Sequence, residues 1–462
     1  MPDVKFGCEF PDNTYFDNYY YLSDESKPYT LDFAGNVFED DFDVATFAFQ
    51  FPINFNGSSF CKSARFSAAS FGLFVDLGRC TFIGTAYFYG TTFSMLASFF
   101  NSVFHDLVVF TNALFLNHAY LDRVKFSYGA TFHNANFADR SSFMYLEASD
   151  SINFSSAKFK EASFHFAQFK LCSFDDATFE NDANFTSAKF VDHASFVKAI
   201  FNSRCIFNNF LDDETKIWND ETIFGNGVDF ENAIFKNVGH FERVRFLKYV
   251  PSFLGVDNAS TRLEFSGDKY FFITDNSEQA VKQLGQLKRL SEEHGQTDQA
   301  LNFNAMELRA KRLQTEPKAA DWSFKAITWL YEKLSDYGRS FTKPMLWYGV
   351  LICLSALFAM IYSTYSDSPA EEQQVLCKPI KDQPPPLKLT YGRAVVEYAM
   401  FRAGGLMDFT DTGKQNNAVN CRLFKEPIEP PLMRAWGIFK GIASIALLFL
   451  AALGLRNKYR IK

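Results

Sequence analysis

Phenylalanine recurs every five residues between positions 154 and 179. The stretch NFSSAKFKEASFHFAQFKLCSFDDATF places Phe154, Phe159, Phe164, Phe169, Phe174 and Phe179 in that register, with Ala157, Ala162, Ala167, Cys172 and Ala177 each two residues ahead of the next phenylalanine. A step of five matches neither the helical turn of 3.6 residues nor the two-residue alternation of a strand. It marks a repeat in which each unit buries its apolar residue only by stacking on copies of itself.

The repeat reaches well beyond that core. From Phe55 the apolar series runs Phe60, Phe66, Phe71, Leu77, Phe82 and onward through Leu121, Phe143 and Ala148 to Phe154. Its steps alternate between five and six, so the 99 residues from 55 to 154 hold nine units of eleven. The alternation resumes from Phe185 to Phe207 and again from Phe224 to Phe246. The extra residue reads as a wider corner, giving coils of roughly 20 to 22 residues.

These residues resemble the pentapeptide-repeat family, whose unit is a small residue, a polar one, a large apolar centre and two variable positions. The resemblance implies a mainly β fold, a right-handed quadrilateral β-helix with one pentapeptide per face and four faces per coil. The central residue and the small residue two before it would both point inward. Phenylalanine at nearly every centre then predicts stacked aromatic ladders, each ring contributing about 1.5–3 kcal/mol on burial. Ten coils at the strand-pairing distance of ~4.8 Å make a rod on the order of 50 Å long.

Composition bounds the rest. A chain of 462 residues accommodates two or three domains, and a net charge of −7 does not point to nucleic acid. Aromatic residues at 18% exclude a disordered segment, because disorder needs few of them and here they are periodic. The start, MPDVKFGCEFPDNTYF, has no basic stretch followed by an apolar run, so no signal peptide is expected. Cys80, Cys172 and Cys205 occupy the small inward position, where a buried thiol acts as a small hydrophobe. The eight cysteines show no CxxC or Cys/His zinc spacing, so neither a metal site nor a cofactor is expected.

In chain order, residues 1–30 read as an N-terminal cap, 31–250 as the β-helix and 251–276 as its C-terminal cap. DDETKIWN at 212–219 breaks the register and reads as a bulged loop. Residues 277–316 form a helical hairpin, with Ser277 as N-cap and Val281, Leu284, Leu287 and Leu290 at helical spacing. The second helix starts at Thr297 with Leu301, Ala305, Leu308 and Arg312 on one side; the pair serves as a spacer, a partner-binding element or a cap. Residues 317–344 suit a helix lying in a membrane interface, with Trp322, Ile327, Trp329, Leu330 and Leu334 apolar.

The remainder, 345–462, reads as a membrane domain. Met345 to Tyr362 carries no charge for 18 residues, about 27 Å of helix against a hydrocarbon core of ~30 Å. A second span covers 435–455, with Lys440 placed to snorkel and Gly437 and Gly441 forming a GxxxG pair that permits close helix packing. Lys333, Arg339 and Lys343 precede the first span and Arg456, Lys458, Arg460 and Lys462 follow the second, which puts both ends on the cytoplasmic side. The loop 363–434 then lies outside, where Cys377 and Cys421 could oxidise to a disulfide. The segments LYEKLSDYGRSFTKPMLW, LGLRNKYRIK and EEHGQTDQAL resemble the C-terminal module of bacterial membrane-anchored pentapeptide-repeat proteins. That resemblance implies multi-pass placement in a bacterial inner (plasma) membrane.

No HExxH, GxSxG or post-strand GxGxxG is present. His105, His118, His133, His165, His193 and His240, and the pairs Asp175-Asp176 and Asp212-Asp213, fall at outward or corner positions. The chain therefore reads as a non-enzymatic scaffold, with the lipid bilayer, an unidentified protein and a second copy of itself as expected partners. Residues 81–121, charged only at Asp106, are the expected contact face. An alternative is an oligomeric two-helix channel or sensor, since an amphipathic segment and Gly404-Gly405, Asp408, Thr410 and Asp411 lie between the spans. A third, DNA mimicry toward a topoisomerase, needs a dense anionic stripe that the sequence lacks.

Overall fold

The computed structural model describes residues 30–208, 210–211, 218–219, 221–257, 261–265, 271, 277–314, 321–365, 390–401, 413–424 and 430–458. The chain divides into two compact units, Met1–Gln314 and Thr315–Lys462. The expected N-terminal cap, Asp212-Asp213, Cys377 and the Gly404 to Asp411 stretch lie outside the described residues.

The first unit is a β-solenoid. Its first described coil contains Leu31–Asp32, Val37–Phe38, Phe42–Asp43 and Ala48–Phe49. Each pairs in parallel with the strand one coil on: Leu31 with Ile53, Val37 with Ser59, Phe42 with Ala64 and Ala48 with Ser70. One lane can be followed from Leu31 through Ile53, Val75, Ala97, Ala119, Ser141, Ala162, Ala183, Cys205 and Gly239 to Leu263. That lane spans about ten coils.

The two step lengths build different corners. A five-residue step holds a β-turn, as where Asn36 N–H donates to Phe33 O at 3.2 Å with Gly35 at φ 68° between them. A positive φ at the third turn position defines a type II turn. Most such positions are not glycine: Asn101, Arg123, Tyr145 and Phe166 all adopt it. The conformation costs a side-chain-bearing residue about 1–2 kcal/mol. Stacking over-determines it, since Asn101 N–H bonds Asp122 O and Arg123 N–H bonds Met144 O, each one coil on.

A six-residue step holds a bulging bend. Where the step shortens to five the bend residue is gone, and the strands run on as Lys158–Ser163 and Gln168–Ser173. The coil before keeps its extra residues in the seven-residue strands Asn136–Ser142 and Glu147–Asn153. Pairing therefore slips between Phe137 and Arg140 and between Ala148 and Ser151. The break at 212–219 is a hairpin rather than a simple bulge: Phe210–Leu211 pairs antiparallel with Trp218–Asn219. The parallel ladder resumes across it, Lys189 pairing with Ile223.

Inside, the rings form columns. Phe66, Phe88, Phe110, Phe132, Phe154, Phe174 and Phe196 stack in sequence at centroid distances of 4.6–4.9 Å, with planes within 14°. Neighbouring columns meet edge to face, as Phe99 meets Phe110 at 5.3 Å and 87°. Both geometries suit the ring quadrupole. Phe154, Phe159, Phe164, Phe169, Phe174 and Phe179 are all at most 1% exposed. Consecutive members occupy successive faces, so Phe154 stacks on Phe174 and Phe159 on Phe179.

The solenoid extends past residue 250. Leu263–Phe265 pairs in parallel with Gly239–Phe241, and Phe271 stacks on Phe246 at 4.9 Å. The segment expected as a cap without repeat thus adds another rung, hidden because its coil is longer than its neighbours. The hairpin then closes the apolar end. Helix α1 (Glu278–Glu293) is capped by Ser277, whose Oγ accepts from Ala280 N, and α2 (Thr297–Leu313) follows a three-residue turn. Phe303 of α2 stands edge-on to Phe265 and Phe271, and Gln299 Nε2 donates to Phe265 O at 2.7 Å. The expected face of α2 is rotated: Phe303 and Ala310 are buried with Ala305, while Leu301 and Leu308 are half-buried.

The second unit is helical. Its helices are α3 (Asp321–Ser335), α4 (Thr342–Tyr365), α5 (Tyr391–Phe401), α6 (Gly413–Phe424) and α7 (Pro431–Lys458). Helices α4 and α7 are long and apolar enough to cross a membrane. Their large side chains face outward, among them Leu346, Leu357 and Ile361 on α4 and Ile438, Ile442 and Phe449 on α7. The core helix of a soluble globule would bury these residues.

Candidate functional site

Two places carry polar chemistry beyond routine solvation: the outward lanes of the solenoid and the interior of the helical unit. On the solenoid, outward Asp and Asn residues hold the turns by accepting from the N–H two residues on. Asp32 does so with Ala34, Asn54 with Asn56 and Asp76 with Gly78, at 2.8–3.0 Å. They also link coils, since Asn54 Nδ2 donates to Asp32 and Asn56 Nδ2 to Asp76. Burial pushes the Asp76 and Asp122 carboxyls above the usual carboxylate range against these bonds.

The histidines sit where the repeat puts them, on outward or corner positions. His118 Nδ1 lies 3.1 Å from Asp139, His133 Nδ1 2.9 Å from Ser155 Oγ, and His240 Nδ1 3.2 Å from Glu264. Burial pulls His165 below the ordinary imidazole value. Asp175 accepts from Ser195 Oγ and Val197 N–H, so it is a turn and coil linker. The buried thiols of Cys80, Cys172 and Cys205 are pushed well up by desolvation, which leaves no thiolate for chemistry. In the 81–121 stretch the exposed side chains include Ile83, Tyr89 and Leu116, and Asp106 accepts from Thr85 Oγ1.

In the helical unit, α7 turns a polar face inward. Lys440, expected to snorkel toward the headgroups, is instead buried and donates through Nζ to Ala399 O near the end of α5. Electrostatically the contact is favourable, since a cation near the C-terminal end of a helix complements its carbonyl dipoles. Trp436 Nε1 donates to Ser355 Oγ on α4 at 3.2 Å. Close approach falls at Gly454, where a Cβ would meet Ser340 O at 2.6 Å, while Gly437 and Gly441 are half-buried. Asn457 Nδ2 donates to Gly338 O at 3.0 Å, so the end of α7 lies against the turn that leads into α4. Cys421 on α6 is disulfide-bonded, and Cys61, Cys80, Cys172, Cys205 and Cys353 are free thiols.

Comparison with known proteins adds one match. Residues 167–209 match the family model described as pentapeptide repeats (9 copies). No curated protein and no solved structure matches the chain. The matched residues share their lanes with the coils on either side, Ala183 pairing with Ala162 and Phe201 with Phe235, so the same unit continues through the stack. The chain thus carries pentapeptide repeats within a phenylalanine-centred β-solenoid, followed by helices of which two are long and apolar enough to cross a membrane.

Proposed function

We propose that the chain is a non-enzymatic scaffold anchored in a bacterial inner membrane, holding its solenoid on the cytoplasmic side as a rigid surface for a protein partner. The observation that carries this reading is the pairing of α7's end with the α3–α4 turn through Asn457 and Gly338. It supports an antiparallel pair of spans with Lys333, Arg339, Lys343, Arg456 and Lys458 gathered on one side, the arrangement the positive-inside rule assigns to the cytoplasm. The oxidised Cys421, from the segment between the spans, fits the opposite, disulfide-permissive side; Cys377 is its proposed partner. The exposed Trp322, Ile327, Trp329 and Leu330 of α3 suit headgroup depth.

The contact face proposed for the partner is the weakly charged 81–121 band around Ile83 and Tyr89. A photocrosslinking residue at Tyr89, in cells, tests it against the same residue at Lys170. A discrete adduct at Tyr89 alone is expected; equal labelling at both sites rejects the face. Membrane-impermeant thiol labelling of single cysteines at Asn457 and Gly392 tests the topology, with only the second expected to react from outside.

A second reading, an oligomeric channel or sensor, draws on α5. It lies between the two apolar helices in sequence and packs against α4 in the same unit. Ion current from the purified protein in planar bilayers, lost on substitution within α5, would favour this reading over a passive anchor.

A further inference from the structure

We infer that His240, Glu242 and Glu264 form a site for a divalent transition-metal cation that clips the last rung of the solenoid to the coil beneath it. His240 and Glu264 are direct partners in the parallel ladder, and Glu242 lies two residues beyond His240. One ligand atom from each comes within 4.8 Å of the other two. The imidazole Nδ1 and Glu264 Oε2 are 3.2 Å apart. Two ligands with bonds of about 2.1 Å on a tetrahedral or octahedral ion stand roughly 3.0–3.4 Å apart, so that pair needs no rearrangement.

The surroundings distinguish this group from an ordinary histidine–carboxylate contact. His118 and Asp139 make such a contact, with Lys160 3.5 Å from Asp139 and no second carboxylate grouped with them among the described residues. At His240 the third member is a second carboxylate, and Glu242 has no basic partner among the described residues. Arg262 Nη2 holds Glu264 Oε1 at 2.9 Å. It thereby orients the carboxylate with its other oxygen toward the imidazole, the outer-shell role that fixes a metal ligand. One imidazole and two carboxylates favour zinc or its first-row neighbours over magnesium, with water completing the shell.

The location gives the site a consequence. Glu264 adjoins Phe265, whose carbonyl accepts from Gln299 of α2 and whose ring meets Phe303. A cation joining Glu264 to His240 and Glu242 fixes the rung on which the α1–α2 hairpin is seated.

The test uses the full chain, purified in detergent without a polyhistidine tag and stripped with chelator. Zinc is titrated calorimetrically and cobalt by its visible absorption, with magnesium as control. The expected result is one zinc per chain, weakened at least about tenfold in both E242Q and H240Q. Zinc should also raise the thermal midpoint of the β signal in the wild type and leave that of H240Q unmoved. Circular dichroism of both variants without metal verifies that the solenoid is intact, since both residues point outward. Equal zinc affinity in wild type and E242Q, or no zinc uptake below millimolar concentration, overturns the proposal and leaves an ordinary hydrogen bond between His240 and Glu264.

Discussion

Lys440 donates its ammonium to the carbonyl of Ala399, joining the second apolar helix to the last turn of the short helix α5. One turn further along α7, Ser444 is equally buried but its Oγ has no partner among the described residues. The two residues give opposite predictions. K440M keeps the length and apolar stem yet removes the charged donor to the Ala399 carbonyl, a loss of about 1–3 kcal/mol. Hydrogen exchange in lipid nanodiscs should show faster exchange over 391–401. S444A removes a hydroxyl that contributes no bond and should leave exchange and thermal midpoint unchanged or slightly improved.

Leu146 and Ala148 exchange the sizes normal for their positions. In most units a smaller residue precedes the phenylalanine by two, as Ala157 precedes Phe159; here the larger residue comes first. Both are buried, and the column that carries Phe126 and Phe169 on the neighbouring coils has Ala148 between them. Restoring the ring alone, A148F, should overpack the coil and destabilise by about 1–3 kcal/mol. L146A alone should open a cavity costing about 2–5 kcal/mol. The double variant recreates the common pattern and should recover most of both losses in chemical denaturation, a coupling that independent sites would not show.

The solenoid was legible because each buried face needs one large residue, so its period appears directly in the positions of phenylalanine. That period is blurred wherever coil length changes. Leu263 was lost from the repeat although its backbone pairs with Gly239, and with it went the pairing of His240 with Glu264. The hairpin at Phe210–Leu211 was legible only as an interruption, since a strand pair leaving the coil has no five-residue signature. Lys440 departs from the snorkelling expectation for a different reason. Whether a lysine near the start of a span turns to the headgroups or inward depends on its neighbours, and the position of α5 beside it is not written in the periodicity of either helix. The buried face of α2 also follows from what it covers: Phe303 turns toward the aromatic end of the solenoid, and helical spacing alone did not select it.

Asp76 predicts a pH effect of unusual sign. Burial raises its carboxyl above the unfolded value, so the folded chain holds the proton more tightly. This group's contribution to stability is greatest below the unfolded carboxylate pKa and declines as pH rises through the raised folded value. D76N should therefore stabilise at neutral pH by up to about 1 kcal/mol and flatten the decline between acid and neutral pH. Asparagine suits the position, since Asn54 makes the same turn bond one coil earlier. Urea midpoints across that range, wild type against D76N, read the effect directly. A variant less stable than wild type at neutral pH would mean that the carboxylate's bonds to Gly78 and Asn56 outweigh its desolvation.

Gly454 and the pair Gly437 and Gly441 separate packing within one chain from packing between copies. A Cβ at Gly454 would press on Ser340 O at 2.6 Å and Phe341 N at 2.9 Å, both backbone atoms that cannot swing aside. G454V should push α7 off the turn into α4, break the Asn457–Gly338 hydrogen bond and lower the thermal midpoint in detergent. Gly437 and Gly441 lie half-buried on the same helix, open enough to serve a second copy. G437V and G441V should therefore keep the wild-type midpoint while reducing any self-association measured by energy transfer in vesicles. If instead they lower the midpoint as G454V does, the GxxxG pair acts inside the chain and provides no surface for oligomerisation.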